Sequence, residues 1–395
     1  MSGTTNWASR RLAGLGSYAF AEVDQEVAKL RARGIEPIDF GVGDPTVPTP
    51  EIVRRATARG VEQRQRAGYP SYIGEAAFRT AVADWTGRRF GVALDPESEV
   101  SATVGAKEAV FNFHEAVVDP GDVVLCPSPG YPPYSRGTLF AEGDPYHLPL
   151  TAERDFLVDL GAIPSDVARR AKVLWINYPN SPSGAVAPRS FLQEVLEFAA
   201  SHDLIVASDE AYSEIYFGEP PLSMLNVGKQ RVLAFNSLSK RSAMTTYRIG
   251  WVAGDPDLVA LFRQVKTNID SGTPTFIQDG AVAALGDESH VRGFREQYRI
   301  KRDLLCAALV EAGLPDCRPA ASLYVWQRVP EHLTSVQFAT ALLDPAIAIV
   351  TTPGAWISDA NPGEPNPGEG YVRFALVPSV EQTQRAADLL RKAAF

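Results

Sequence analysis

The chain has 395 residues, 45% of them hydrophobic and 22% charged, with a formal net charge of −9. That length supports more than one domain and a large core without disulfide or metal staples. Its 31 glycines and 30 prolines are too few for a collagen or a disordered chain. The acidic balance argues against nucleic-acid or anionic-membrane binding, which needs a basic surface.

Three cysteines, Cys126, Cys306 and Cys317, lack CxxC spacing and read as reduced thiols in a cytoplasmic protein. The histidines are scattered, so no metal site is expected. No apolar run reaches the roughly 18 residues of a membrane span. Residues 1–20 lack the apolar core of a signal peptide.

In chain order, a basic amphipathic helix is predicted over roughly Phe20–Arg33, then a Gly/Pro loop at 41–50. Helices follow at Glu51–Arg66 and Glu75–Phe90, then a strand at Val123–Cys126 and a Pro/Gly loop at 127–133. Next come a strand at Val173–Ile176, a loop at 178–184, a helix at Arg189–His202 and strands at Leu204–Ala207, Val232–Phe235 and Ile249–Ala253. Short apolar strands alternating with helices predict a parallel sheet buried on both faces. After Pro274 the pattern changes. One helical stretch runs to Ala312, followed by strands at Leu323–Gln327, Ile347–Val350 and Tyr371–Leu376, a Pro-rich loop at 361–370 and a helix at Val380–Ala394. This predicts a second, smaller α+β unit.

The segment Ser237-Leu-Ser-Lys240 follows a strand and is followed eight residues later by Arg248. A lysine that condenses with an aldehyde must offer a neutral amine, which desolvation and neighbouring cations favour. Arg248 with the hydroxyls of Ser237 and Ser239 suits a dianionic phosphate. Taken alone, Lys240 reads as a surface lysine in a turn; its context decides otherwise. Asp209 stands at the carboxyl end of a strand, where open α/β sheets place ligand contacts. A carboxylate there keeps a ring nitrogen protonated, and Tyr212 lies three residues on. Taken alone, Asp209 also reads as a helix cap.

Eight blocks in order carry a resemblance: Gly41-Val-Gly-Asp-Pro45, Tyr69-Pro-Ser-Tyr-Ile-Gly74, Gly105-Ala-Lys-Glu108, Pro127 to Tyr134, Asn177 to Gly184, Asp209-Glu-Ala-Tyr212, Ser237 to Arg248, and Tyr371-Val-Arg373. Together they resemble the class I/II aminotransferases, fold-type I enzymes that use pyridoxal 5'-phosphate (PLP). Within that family, Tyr18 to Asp24 and Asn268 to Gly272 look most like bacterial LL-diaminopimelate and aspartate/aromatic aminotransferases. The resemblance implies an α/β fold, with a mainly parallel sheet sandwiched by helices in a large domain and a smaller α+β domain. It implies an N-terminal arm and part of the small domain at 1–45, the PLP-binding domain at 46–280 and the small domain at 281–395.

The same resemblance implies roles. Lys240 is the Schiff-base lysine and proton carrier, Asp209 the partner of the pyridinium nitrogen, and Tyr212 that of the ring's phenolate oxygen. Arg248 and Ser237 hold the phosphate, with backbone N–H groups of Ala106 and Lys107 at a helix start. Tyr131 stacks on the ring, and Tyr69 reaches the phosphate in the other subunit of an obligatory homodimer. Arg373 clamps the substrate α-carboxylate, and Gly43 lies near the substrate. The partners implied are an L-amino acid and a 2-oxo acid.

The chain departs from the pattern in places. Ser181 stands where the family has the asparagine that donates to the PLP phenolate oxygen. Ile73 replaces a glutamate, Thr246-Tyr-Arg248 replaces Gly-Trp-Arg, and Ala321-Ser-Leu-Tyr324 replaces Gly-Ala-Phe-Tyr. Transamination through Lys240 in ping-pong order is the expected activity. The alternative, raised by Ser181, is elimination, substitution, oxidation or cyclisation of an amino acid on the same cofactor.

Overall fold

The structure, a computed structural model, describes residues 7–13, 21–393 and 395. Tyr18, Ala19 and Phe20 of the opening motif therefore lie outside the described residues. The predicted first helix is seen as Ala21–Ala32.

The strands in chain order are β1 (Ile38–Asp39), β2 (Val100–Thr103), β3 (Val123–Ser128), β4 (Asp144–Pro149), β5 (Ala171–Asn177), β6 (Ile205–Asp209), β7 (Val232–Ser237), β8 (Gly250–Gly254), β9 (Tyr324–Arg328), β10 (Ile349–Val350), β11 (Thr352–Pro353) and β12 (Tyr371–Ala375). Seven of them form one sheet in the order β2-β8-β7-β6-β5-β3-β4. Six run the same way; β8 runs antiparallel to both its neighbours, so the sheet is mixed rather than wholly parallel. A three-stranded antiparallel sheet, β11-β12-β9, and a parallel pair, β1-β10, lie apart from it.

Side-chain alternation along β5 shows why the main sheet is covered on both faces. Val173 and Trp175 join one buried cluster with Leu233 and Phe235. Leu174 and Ile176 join another with Leu125 and Phe191. Polar side chains at either set would lose that burial, which is why the sequence there is almost wholly apolar.

Two strands of the main sheet escape sequence reading, as do the two-residue strands β1 and β11. Val-Ser-Ala-Thr in β2 is fully buried yet half hydroxylic. Asp-Pro-Tyr-His-Leu-Pro in β4 is an edge strand, the position that tolerates proline. The predicted helical stretch Pro274–Ala312 is two helices, Thr275–Leu285 and Ser289–Glu311. Between them Asp287 accepts hydrogen bonds from the Ser289 backbone and hydroxyl, starting the second helix. Among the described residues no helix is long and apolar enough to cross a membrane.

Lys266, at the end of the helix Pro256–Lys266, is fully buried. Its Nζ donates to Asp270 Oδ2 at 2.7 Å and to Glu108 Oε2 at 3.2 Å. Glu108 in turn accepts the Val104 N–H and Asp270 the Gly272 N–H. One buried cation thus ties the helix Ala106–Asn112 to the loop 267–272. Lys266→Met leaves two carboxylates facing one another without it. Unfolding in urea should show a loss of about 3 kcal/mol; a loss under about 0.5 kcal/mol would mean that the triad is not a structural tie.

Candidate active site

The carboxyl ends of β2, β3, β5, β6 and β7 line one edge of the sheet, the edge at which open α/β sheets bind ligands. Because β8 is reversed, it begins there: Gly250 pairs with Thr103 on one side and Ser237 on the other. Arg248, just before β8, and Lys240, just after β7, are brought to the same edge.

Lys240 lies on the one-turn helix Leu238–Arg241, started by Ser237, whose Oγ accepts the Ser239 N–H at 3.0 Å. The half-buried Lys240 Nζ donates to the Gly43 carbonyl. A Cβ at Gly43 would come within 2.0 Å of the Tyr324 hydroxyl. Only glycine lets this segment pass between the lysine and that phenol.

Asp209, the last residue of β6, is buried. Its Oδ2 accepts the Tyr134 hydroxyl at 2.7 Å and its Oδ1 the Ala211 N–H at 3.1 Å. The second bond closes a tight local turn, so the carboxylate has a capping duty as well. Burial pushes its pKa up, and the two donors pull it back. Asn177, its register partner on β5, donates to the Asp209 carbonyl at 2.9 Å and accepts the Ser181 N–H at 2.8 Å.

The Tyr212 and Tyr324 hydroxyls are 3.2 Å apart. Burial raises the pKa of Tyr212. Burial also opposes ionisation of Tyr324, but Arg373, Lys240 and hydrogen bonds from Tyr212 and Ser181 hold its pKa below the usual phenol value. The Arg373 guanidinium lies over the Tyr324 ring, 4.6 Å from its centre. Arg373 Nη2 donates to the Gly41 carbonyl at 2.9 Å and to Thr352 Oγ1 at 3.3 Å. Its Nε is buried and without a partner among the described residues.

Arg248 adopts a left-handed backbone, φ 52°, and its Nη1 donates to the Thr245 carbonyl at 2.8 Å. The guanidinium packs on Gly105, where a Cβ would lie 2.3 Å from Nη2. Gly105 (φ 74°) immediately precedes Ala106 and Lys107 at the start of the next helix. The Lys107 Nζ lies 6.0 Å from the Tyr131 ring centre. Burial and Asp209 raise the pKa of Tyr131. Tyr69 stands apart, 92% exposed.

These residues fit the expected cofactor. Arg248, Ser237 and the helix start at a bare glycine make a phosphate cradle. Asp209 offers a charge to a ring nitrogen, and Lys240 an amine.

Sequence reading missed Tyr134, Asn177, Tyr324 and Thr352 as part of this constellation. Asn177 was signalled by its place at a strand end. The others meet partners 75, 112 and 21 residues away, which no local pattern reports.

Residues 35–390 match the family described as aminotransferase class I and II. The chain belongs to that family. It is similar to the LL-diaminopimelate aminotransferase of Aquifex aeolicus, 43% identical over 97% of this chain and 98% of that protein. The enzyme of the same name from Moorella thermoacetica is 44% identical, covering 97% of each. Among solved structures, an aminotransferase from Neisseria meningitidis has a TM-score of 0.89 at 32% identity, covering 96% of this chain and 98% of that one. This aminotransferase depends on PLP and moves an amino group between an amino acid and a 2-oxo acid. The comparisons lend no support to the alternative of elimination, oxidation or cyclisation.

Behind Asp209, the Tyr134 ring stacks on Trp175, and Trp175 Nε1 donates to His114 Nε2 at 3.0 Å. Burial lowers the His114 pKa to about 4 from 6.5. The folded state therefore binds a proton less readily than the unfolded one. Stability is fully present above pH 6.5 and is lost as pH falls toward 4, by about 3 kcal/mol for this group. Urea unfolding between pH 7 and 4.5 should show a steeper loss in the native protein than in His114→Gln; parallel curves would remove His114 from the account.

Proposed function

We propose that Lys240 forms the covalent link to PLP, and that Asp209 and Tyr212 contact the ring nitrogen and ring oxygen. Tyr131 covers the ring, Ser181 lies at its oxygen side, and Arg248, Ser237 and the N–H groups of Ala106 and Lys107 hold the phosphate. Arg373 binds the substrate α-carboxylate beside Gly43. The cofactor, when bound, supplies a carbonyl for amine exchange and an electron-withdrawing ring that acidifies the substrate's α-C–H. Arg373 fixes the substrate by its carboxylate and so aims the α-C–H at Lys240. Lys240 takes that proton and holds it on Nζ. Asp209 would keep a negative charge opposite the ring nitrogen, and its own burial keeps bulk water from that side.

The observation that carries this reading is the convergence of the Lys240 amine and the Arg373 guanidinium on Tyr324 and the Gly41–Gly43 segment. Lys240→Ala should lower turnover more than about 10³-fold and abolish the visible absorbance of the protein-bound cofactor. Arg373→Ala should instead leave that absorbance intact and lower kcat/KM about 100-fold, mainly through KM, as loss of a charge-assisted contact requires. If Lys240→Ala keeps the bound-cofactor absorbance, the assignment fails. LL-diaminopimelate, the compound in the relatives' names, is the first donor to assay.

The same reading makes the enzyme a cytoplasmic homodimer in which Tyr69 serves the partner's site. Its unpaired cysteines and its exposed Tyr69 support this. It also divides the chain into 1–45, 46–280 and 281–395, in keeping with a main sheet spanning 100–254 and a second sheet spanning 324–375. Co-expressing Tyr69→Ala with Lys240→Ala forms hybrid dimers with one intact site. Roughly a quarter of native activity should return; no recovery would mean that Tyr69 acts within its own subunit, and full activity of Tyr69→Ala expressed alone would mean that it does not act at all.

A further inference from the structure

Tyr134 lies in the first turn of the helix Pro133–Phe140 and is 1% exposed. Its hydroxyl donates to Asp209 Oδ2 at 2.7 Å. Its ring is held independently of that bond, stacked on Trp175 with centres 4.7 Å apart and planes 19° from parallel. Trp175 is fixed in turn by His114: the indole N–H fills Nε2, so the His114 proton is assigned to Nδ1, which faces the Phe111 carbonyl at 3.1 Å. A phenylalanine would fill the same volume and stack on the same indole. The hydroxyl is therefore not needed for packing; the buried carboxylate it meets accounts for it.

Asp209 is enclosed, and enclosure favours the neutral acid. A neutral acid cannot hold a proton on a base beside it. Two donors oppose that tendency, the Ala211 N–H on Oδ1 and the Tyr134 hydroxyl on Oδ2. Asp209 acts electrostatically on Tyr131, Tyr134, Tyr212 and Glu210, none of which carries a positive charge that would offset its burial. Hydrogen bonding from these two donors is what the structure shows opposing the neutral form of this carboxylate. Burial also keeps the Tyr134 hydroxyl protonated, well above the ordinary phenol range, so it remains a donor at every working pH.

We propose that Tyr134 is a positioning residue for the reaction: acting through Asp209, its hydroxyl keeps that carboxylate ionised and aimed so that the cofactor's ring nitrogen stays protonated. This rests on the assignment of Asp209 to the ring nitrogen made above. Trp175 and His114 hold the Tyr134 ring in place but do not touch the carboxylate. Their part is orientation alone.

The test is ring-nitrogen protonation, read by nitrogen NMR of the full-length enzyme reconstituted with PLP labelled at that nitrogen. Native enzyme, Tyr134→Phe, Asp209→Asn and Trp175→Phe are compared. Tyr134→Phe should bind the cofactor and melt within a few degrees of the native protein. Its nitrogen signal should move toward the unprotonated position, and kcat should fall about 10- to 100-fold with KM for the donor within about twofold. Asp209→Asn should move the signal further in the same direction, while Trp175→Phe, which keeps the hydroxyl, should move it less than Tyr134→Phe does. A Tyr134→Phe signal that stays at the native position while Asp209→Asn shifts it overturns the proposal and leaves the Asp209 assignment standing. Equal shifts in Trp175→Phe and Tyr134→Phe also overturn it, because packing rather than the hydroxyl would then be responsible. No shift in Asp209→Asn removes the Asp209 assignment and the proposal together.

Discussion

Strand β8 runs against its neighbours, and that reversal determines where the site is. In a wholly parallel sheet, the residues before a strand and those after the adjacent one lie at opposite edges. Here Arg248 enters β8 at the edge where Ser237 leaves β7, with Gly250 hydrogen-bonded between β2 and β7. The close packing of Arg248 on Gly105 follows, since Gly105 leaves β2 at the same edge. The proposed phosphate cradle, which joins Gly105 and Arg248 across 143 positions, would be a consequence of one strand direction. A Cβ at Gly250 would press on the Asn236 carbonyl at 2.5 Å, so the reversed strand also fixes its own first residue.

The electrostatics of the site grow from the same edge. Two carboxylates in succession, Asp209 at the end of β6 and Glu210 just after it, are both buried. Glu210 points away from the candidate site and accepts three hydrogen bonds, from Ser208, Ser223 and the Met224 N–H. Burial still raises its pKa, to about 7. Asp209 has fewer donors, the Tyr134 hydroxyl and the Ala211 N–H. The difference between a structural acid and a candidate catalytic one is thus where each carboxylate points, set by alternation at a strand end. Next to Lys240, Arg241 takes the opposite course: it is turned inward, 3% exposed, and bonded to Glu288 and the Ala284 carbonyl. A lysine facing the site is anchored by an arginine facing the core.

Much of this was legible in the sequence because the central strands are apolar and short. β5, β6 and β7 were placed within two residues at their ends, since burial on both faces leaves few alternatives to valine, leucine and isoleucine. β2 and β4 were missed for opposite reasons, one buried but hydroxylic, the other at an edge and polar. Lys240, Asp209 and Arg373 stood out through blocks in a fixed order. Tyr134 lies within such a block and Tyr324 within a departure from the pattern, yet their duties are invisible there. A hydroxyl's role depends on what it meets, and both meet residues brought near only by the closed fold.

Ser181 is the clearest departure from the family pattern, and the geometry around it explains why it is compatible with transamination. The backbone at 181 is held by Asn177, which also binds the Asp209 carbonyl, so the loop's position does not depend on the side chain at 181. The shorter serine lies beside Tyr324, and Tyr324 bonds Tyr212. Two phenols and a hydroxyl therefore form one connected set, with the acidity of Tyr324 increased by Arg373 and Lys240. An asparagine amide supplies N–H donors held in one plane. A hydroxyl relay supplies donors whose protons reorient as charge moves. The side that lost an amide thus retains hydrogen-bonding capacity, drawn from β9 and from the loop after β6 rather than from the residue that changed.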